Sequence, residues 1–484
     1  MVEIKPMYNF DLIVIGSGPA GEKGAAQAAY FGKKVALVEK DYYLGGAAAS
    51  TAIPTKTLRE TSLALSGIRA RRLHGVDLSL KRRATVQDFL HHEKMVKDAE
   101  RTRVLNNMHY HKVTIFKGKA LFVDKKIIKV EARGKTPDFL KSDIILIATG
   151  SSPRHPDNFP KHPHIYDSDS ILHIKKIPKN MVVIGGGVIG CEYACTFAAL
   201  GIEVFLIHNK EILLPFMDRD ISYSLENNIS RSGINILKPE NVESFNVKAD
   251  KLEIKLVSKK EIKTDAVMLA TGRISNTVDL NLDAAGITPG KYGLLIVDQN
   301  YQVIHPETKK PVPGIYAAGD VIGAPALAST SMEQARFAMI KAFNLDPYKE
   351  HVAPILPVGI YTIPECSMAG KTEEECRKEK IDYIVGKAAY KNNARGRIIG
   401  DFDGFIKLIF KFNKKPGQPM KLLGVHIIGE IASELIHIGV SALIMGADSN
   451  LFIDTCYNYP TLGELYKYAT YDAMGNSAKR LKLK

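Results

Sequence analysis

The sequence predicts an α/β chain with two copies of one strand–turn–helix unit, each leading a parallel sheet, and a smaller C-terminal part of mixed strands and helices. Three observations lead there. A glycine-spaced motif occurs twice, at Gly16 and at Gly185, each time between an apolar run and a helix of small residues. Three later apolar runs, 144–150, 267–272 and 314–320, stop at small residues. At 484 residues the chain is long enough for about three domains of roughly 150 residues each.

Composition narrows the classes further. Apolar residues make up 45% and charged residues 24%, with 38 Gly and 23 Pro, which excludes disordered, collagen-like and low-complexity chains. No apolar run approaches the roughly 18 residues of a membrane span. The run 11–15 begins early enough to leave no space for a signal or transit peptide, so a cytoplasmic protein is the expectation. Five cysteines (Cys191, Cys195, Cys366, Cys376, Cys456) show no CxxC or Cys/His ligand spacing and read as core thiols. The adjacent His91 and His92 match no ligand spacing either, and no metal is expected. Lys and Arg outnumber Asp and Glu by 66 to 52, a net charge of +14 that suits an anionic partner. The basic residues cluster at Arg69, Arg71, Arg72, Lys81, Arg82 and Arg83 and in a tail with Lys479, Arg480, Lys482 and Lys484. Neither cluster interleaves aromatics, which favours a solvated surface over a nucleic-acid face.

The first unit runs from the apolar strand 11–15 into Gly16-Ser-Gly18-Pro-Ala-Gly21 and an Ala-rich helix. The glycines play separate parts. Gly16 makes the tight turn, Gly18 lets backbone approach a pyrophosphate, and Gly21 lets the helix pack on the strand. The phosphates then face a helix N-terminus, whose free N–H groups and dipole favour negative charge. The next strand ends at Glu39, followed by Lys40; a carboxylate at that distance from the loop accepts from ribose hydroxyls.

The second unit repeats this with strand 181–184, Gly185-Gly-Gly187-Val-Ile-Gly190 and strand 203–207. One such motif is a weak signal, but two in matching strand and helix contexts predict two Rossmann-like dinucleotide sites. In the second, the position equivalent to Glu39 is His208, with Asn209 and Lys210 following. A carboxylate there would repel a 2′-phosphate, and these residues need not, so this site is open to both nicotinamide nucleotides. The other reading of His208 is a surface histidine after a strand.

The runs 144–150 and 267–272 both end in Ala-Thr-Gly, and 314–320 ends in Ala318-Gly319-Asp320 ahead of a helix expected over 332–342. Small residues let backbone approach a planar ligand, and Asp320 is placed to accept from a polyol.

Taken together these motifs resemble the FAD-dependent pyridine nucleotide disulfide oxidoreductases, the family of dihydrolipoamide dehydrogenase and glutathione reductase, over nearly the whole chain. The resemblance implies that FAD is held by Gly16, Gly18, Gly21, Glu39, Lys40, Gly46, Ala47, Lys56, Ala148, Thr149, Gly150, Gly319, Asp320 and Ala328. It implies a nicotinamide nucleotide site at Gly185, Gly187, Gly190, Glu192, His208, Lys210 and Gly272. Segments 359–365 and 423–429 resemble the family's α+β dimerisation domain. The implied organisation is an FAD-binding domain over 1–151, with a helical excursion at about 57–112, and an NAD(P)-binding domain over 152–275. The rest of the FAD-binding domain follows at 276–345, and a dimerisation domain at 346–484.

The family's redox disulfide precedes a motif matched here by Ile53-Pro54-Thr55-Lys56, and its two cysteine positions hold Ala47 and Ala52. The family's C-terminal base, a His before Pro-Thr, is replaced by Tyr459 in a segment that runs on to Glu464. The two losses agree, because a thiolate pair needs a base to manage its protons. Segments 164–171, 187–194 and 458–461 resemble the soluble pyridine nucleotide transhydrogenase branch, which keeps a cysteine where this chain has Ala47.

What the resemblance then implies is exchange of hydride between NADPH and NAD+ through FAD, in alternation at one pocket and without a redox disulfide. Lys56, paired with Glu192, and Tyr459 are the implied catalytic residues. The plain alternatives are an interdomain ion pair for the first two and an aromatic filler for Tyr459, with Glu464 a structural orienter. Cys191 and Cys195, four apart on a helix, read as buried spectator thiols. An NAD(P)H oxidase or diaphorase, and a non-catalytic flavin-binding relative, stay open. The expected partners are nicotinamide dinucleotides and further copies of the chain as a homodimer or higher oligomer, with no nucleic acid, membrane or metal.

Overall fold

A computed structural model describes residues 7–67, 85–248, 251–346, 352–415 and 417–482. The basic cluster between Arg69 and Arg83 and the terminal Lys484 lie outside the described residues. The chain divides into two compact units, one of Met1–Thr57, His91–Arg154 and Gly272–Ala353, the other of Leu58–Leu90, His155–Thr271 and Pro354–Lys484.

The first unit is organised by a six-stranded sheet in the order Gln302–Ile304, Pro311–Ala317, Ile144–Ile147, Leu12–Ile15, Val35–Glu39, Thr114–Lys117. All its pairs are parallel except the edge pair 302–304 with 311–317. Its strands read as continuous apolar runs because both faces are covered. Ile13, Ile15, Ala36, Val38, Ile145 and Ile147 enter one core, while their neighbours Leu12, Val14, Val35, Leu37 and Leu146 enter another. Side chains alternate across a strand, so one register sends each residue to its own layer. The second core is closed by the helices Pro19–Tyr30 and Ala328–Phe343, with Ala25, Ala28, Ala335 and Ala338 among its buried residues.

In the second unit a five-stranded parallel sheet runs Ile165–Tyr166, Ala266–Leu269, Asn180–Ile184, Glu203–Ile207, Ile234–Leu237. Met181 and Val183 pack on one side, Val182 and Ile184 on the other. The C-terminal part is an antiparallel five-stranded sheet containing Glu365–Gly370, Tyr383–Ala389, Phe405–Lys411 and Leu422–Gly429. One face shares a core with the helices Ala432–Ile444 and Leu465–Arg480. Lys407 and His426 are register partners in this sheet and both are buried. The Lys407 ammonium binds Asp218 at 2.7 Å, Asp220 at 2.6 Å and also Glu373.

The helix expected over 332–342 begins earlier, at Ala328. Its first turn contains Ser329, Thr330 and Ser331, poor helix formers, but Ser331 Oγ donates to the Leu327 carbonyl and Thr330 is buried, so tertiary packing overrides propensity. The stretch expected to be helical at about 57–112 overlaps the helix Ile53–Ser66, which begins earlier, and contains the helix Val86–Tyr110. Among the described residues no helix is long and apolar enough to cross a membrane.

Candidate nucleotide-binding sites

The two glycine motifs fold alike, bond by bond. In the first, Gly16 N–H donates to the Val38 carbonyl and Ala148 N–H to the Ile15 carbonyl; in the second, Gly185 N–H donates to Ile207 and Ala270 N–H to Ile184, all at 2.8 Å. A Cβ on Gly16 would lie 2.4 Å from the Ala148 oxygen, and one on Gly185 would lie 2.3 Å from that of Ala270. This is why the Ala-Thr-Gly strands recur beside the loops: each carbonyl needs a bare Cα opposite it. Cβ atoms on Gly21 and Gly190 would both fall 1.8 Å from the oxygen of the turn glycine. Around Gly18 and Gly187, by contrast, a Cβ would meet nothing within 4 Å among the described residues. These two stand at the N-caps of the helices Pro19–Tyr30 and Val188–Ala199, without a side-chain cap. Open space before uncapped helix N–H groups is an anion cradle, and a pyrophosphate fits both.

A side chain from the next strand fastens each loop. Glu39 Oε2 accepts from Ser17 N at 2.9 Å and Ser17 Oγ at 2.6 Å; Oε1 accepts from Asp41 N at 3.0 Å, and Ser17 Oγ accepts from Gly45 N at 2.9 Å. In the second loop His208 Nδ1 accepts from Gly186 N at 3.2 Å. His208 is 8% exposed, so the surface-histidine reading does not hold. Burial pushes its pKa down and the Lys210 and Lys238 cations push the same way, against the Ile212 carbonyl and Glu226, leaving the ring neutral.

The Ala-Thr-Gly segment of the first unit leads into a polar set. Ser151 Oγ donates to Asp320 Oδ2 at 2.9 Å and accepts from Arg273 Nε at 2.8 Å, while Asn276 Nδ2 donates to the Thr149 carbonyl. Gly319 N–H donates to Gln334 Oε1 at 2.9 Å. The hydroxyls of Thr149 and Thr330 are buried without a hydrogen-bond partner among the described residues, although nearly all buried polar groups have one. Orphaned hydroxyls in the unit that carries the open Gly18 cradle fit a bulky polar ligand such as FAD. Ser17, Ser151, Arg273, Gln334 and Thr330 were not among the sequence candidates. Ser17 had a signal, since it precedes Glu39 by the same 22 positions that separate Gly186 from His208; the others are joined only by tertiary structure.

Gly46 has φ 52° and would bring a Cβ within 3.0 Å of Gly18 Cα, so this loop abuts the first cradle. Ala47 and Ala52, at the ends of the turn that follows, are exposed methyls. Lys40 is exposed, Ala328 opens its helix exposed, and Gly150 and Gly272 border open space. Lys56 is half-buried in the helix Ile53–Ser66, and Glu192, 7% exposed, accepts from Tyr361 N at 2.9 Å. Tyr459 is 77% exposed, and Asn393 Nδ2 donates to Glu464 at 3.5 Å. Cys191, Cys195, Cys366 and Cys376 are buried free thiols and Cys456 is exposed; burial pushes the Cys195 thiol up to about 12. His91 and His92 are exposed.

The family model described as pyridine nucleotide-disulphide oxidoreductase matches residues 10–335, and that of the family's dimerisation domain matches residues 356–470. A soluble pyridine nucleotide transhydrogenase of Mycobacterium tuberculosis (strain ATCC 25177 / H37Ra) is 40% identical over 473 residues, covering 97% of this chain and 98% of its own. One of Colwellia psychrerythraea is 36% identical over 472 residues, covering 96% and 98%. Among solved structures, LpdA from Mycobacterium tuberculosis aligns with a TM-score of 0.85 at 23% identity, over 96% of this chain and 99% of that one. The HOCl-induced flavoprotein disulfide reductase RclA from Escherichia coli aligns at 0.83 and 23%, over 95% and 99%. These structures share the fold, and the sequence matches carry the kinship: the chain belongs to the pyridine nucleotide-disulphide oxidoreductase family.

Proposed function

We propose that this chain is an FAD-dependent transhydrogenase that exchanges hydride reversibly between NADPH and NAD+. The carrying observation is the pairing of an intact second cradle with exposed alanines at 47 and 52: a nucleotide has a berth, and a disulfide relay has no sulfur. The relatives named soluble pyridine nucleotide transhydrogenase support the same reading. FAD, when bound, supplies a two-electron store that a nicotinamide fills or empties.

The chain's own residues bind and orient. The N–H groups at Gly18 would receive the FAD pyrophosphate, and Glu39 and Asp320, each held by a serine hydroxyl, would hold its ribose and polyol. Lys56 would supply a cation toward the ring, and Glu192 and Tyr459 are the further candidate residues of the reaction. The berth for both nicotinamide nucleotides is formed by Gly185, Gly187, Gly190, His208 and Lys210. The division at 1–151, 152–275, 276–345 and 346–484 gives each part a function of its own, and the location is cytoplasmic.

The test is anaerobic reduction of the purified flavoprotein by NADPH, followed by NAD+, with flavin absorbance as readout. Bleaching and then recovery is expected. Recovery only with oxygen would make the protein an oxidase, and no bleaching would make it a non-catalytic binder; either overturns the proposal.

A further inference from the structure

We propose that Leu214 is a positioning residue of the second cradle: its backbone N–H, presented by a left-handed turn, fixes the Gly186 carbonyl and keeps the glycine loop in the form that receives a nucleotide. This rests on the proposed function only in taking that cradle as the nicotinamide nucleotide berth. The brace itself stands on a comparison within the molecule. Gly45 lies as far beyond Glu39 as Leu214 lies beyond His208. Both have positive φ, 106° and 48°. Gly45 N–H donates to Ser17 Oγ at 2.9 Å, and Leu214 N–H donates to the Gly186 carbonyl at 3.2 Å. Ser17 and Gly186 are the second residues of the two motifs, so a turn braces each loop at the same place.

The two turns differ in the residue that makes them. Glycine takes a positive φ freely, whereas a leucine there sets its Cβ against the following carbonyl. Of the described non-glycine residues with positive φ, Leu214 alone is buried, at 0% exposure. Such a conformation persists only where its surroundings over-determine it, and it marks places where geometry matters. The surroundings are visible. The Leu214 carbonyl accepts from Ser222 Oγ at 3.2 Å and from Met217 N at 2.9 Å. Leu213 N donates to the buried Glu226 carboxylate at 2.7 Å, and Leu213 Cδ2 lies 2.4 Å from where a Cβ on Gly186 would stand. Ser222 and Glu226 stand on the helix Arg219–Arg231, which thus holds the Leu213–Leu214 pair against the loop.

What the brace fixes follows from the planarity of the peptide unit. The Gly186 carbonyl and the Gly187 N–H belong to one rigid plane and point opposite ways. A donor on the carbonyl therefore sets the direction of the N–H at the other end. Gly187 is the uncapped N-cap residue of the helix Val188–Ala199, where an anion would be received. Because the whole berth depends on that loop, the brace acts on NAD+ and NADP+ alike and carries no preference between them.

The experiment titrates full-length, FAD-loaded protein separately with NAD+ and NADP+ by calorimetry. Leu214→Ile conserves volume, but its β-branch resists a positive φ; Leu214→Met conserves volume without the branch. Leu214→Ile is expected to raise both dissociation constants about tenfold and to leave their ratio within about threefold, since a loop correctly set in about a tenth of the molecules binds either nucleotide that much more weakly. Leu214→Met should keep both constants within about threefold of the parent, and both variants should keep their FAD. A leucine with only a packing role would change the melting temperature and neither constant. Unchanged constants in Leu214→Ile, or equal weakening in Leu214→Met, overturn the proposal. A second readout uses the unaltered protein: by reciprocity, a bond that holds the berth is held by its nucleotide, so saturating NAD+ should slow hydrogen exchange at the Leu214 amide about tenfold or more. Exchange that NAD+ leaves unchanged overturns the brace even if Leu214→Ile fails to fold. Protein that binds both nucleotides without exchanging hydride would sink the proposed function and leave the brace. Hydride exchange with unchanged constants in Leu214→Ile would sink the brace alone.

Discussion

Replacing Lys407 by methionine tests how the second unit is held together. Lys407 is 1% exposed and its ammonium touches three carboxylates. Two of these keep other cations: Asp220 retains Lys387 at 2.8 Å, and Glu373 retains Arg377 at 2.7 Å and the Tyr383 hydroxyl at 2.8 Å. Asp218, 0% exposed, is left with backbone N–H groups of Asp220 at 3.1 Å and Glu373 at 3.3 Å, so the variant strands one buried charge. Breaking a buried pair from one side costs about 3–5 kcal/mol, and the remaining N–H bonds favour the lower end, about 3 kcal/mol. Asp218→Asn leaves the ammonium two carboxylates and should cost only about 1 kcal/mol. Burial alone would lower the Lys407 pKa, but Asp218, Asp220 and Glu373 outweigh it and hold it above the ordinary lysine value, while Lys387 and Lys407 hold Asp220 below the ordinary aspartate value. A raised lysine gives stability that is complete below 10.5 and lost at higher pH; a lowered aspartate gives stability complete above 3.8 and lost at lower pH. The difference between variant and parent should therefore be constant across the neutral range. Native-state hydrogen exchange in the strand Phe405–Lys411 reads it without assuming that the whole chain unfolds in one step. The expected loss of protection is roughly a hundredfold. A Lys407→Met protein within about 0.5 kcal/mol of the parent, or less damaged than Asp218→Asn, would refute the reasoning.

Three other outcomes follow from the same structure. Gly187→Ala should keep thermal stability within about 0.5 kcal/mol while weakening nicotinamide nucleotide binding about tenfold or more, because its Cβ meets only open space, whereas Gly190→Ala should lose both; calorimetry and thermal melts separate them. Glu22 is buried, which raises its pKa, but bonds from Arg103 and Lys23 lower it further, so its stabilisation is complete above 4.5 and fades as pH falls. Arg103→Leu should cost about 2 kcal/mol, discounted for the exposure of Arg103, and move the acid-unfolding midpoint to higher pH; an unmoved midpoint would count against it. N-ethylmaleimide should add once, at the exposed Cys456, and leave hydride exchange intact, as peptide mass spectrometry and the anaerobic assay will check.

What the sequence made readable was local. The glycine loops, their strands and Glu39 lie within one short stretch, and each glycine answers a steric demand of its immediate neighbours, so spacing alone identified Gly16, Gly21, Gly185 and Gly190. The early start of the helix at Ala328 was hidden because Ser and Thr are weak helix formers until packing fixes them. Lys407 shows the limit more sharply. In the strand Phe405–Lys411 a lysine between apolar residues reads as the solvent-facing member of an alternating pattern. The residues that bury it lie at 218, 220 and 373, and no periodicity joins them. His208 falls between these cases, since its position was legible and its partner was not until Ser17 and Glu39 supplied the template.

The loops that share their glycines differ in how they are tied. Glu39 and Ser17 fasten the first with four hydrogen bonds through two side chains, while His208 gives the second a single one. If the first loop holds FAD and the second a nicotinamide nucleotide, as proposed, a variant that exchanged the two sets of ties is expected to hold its prosthetic group more loosely.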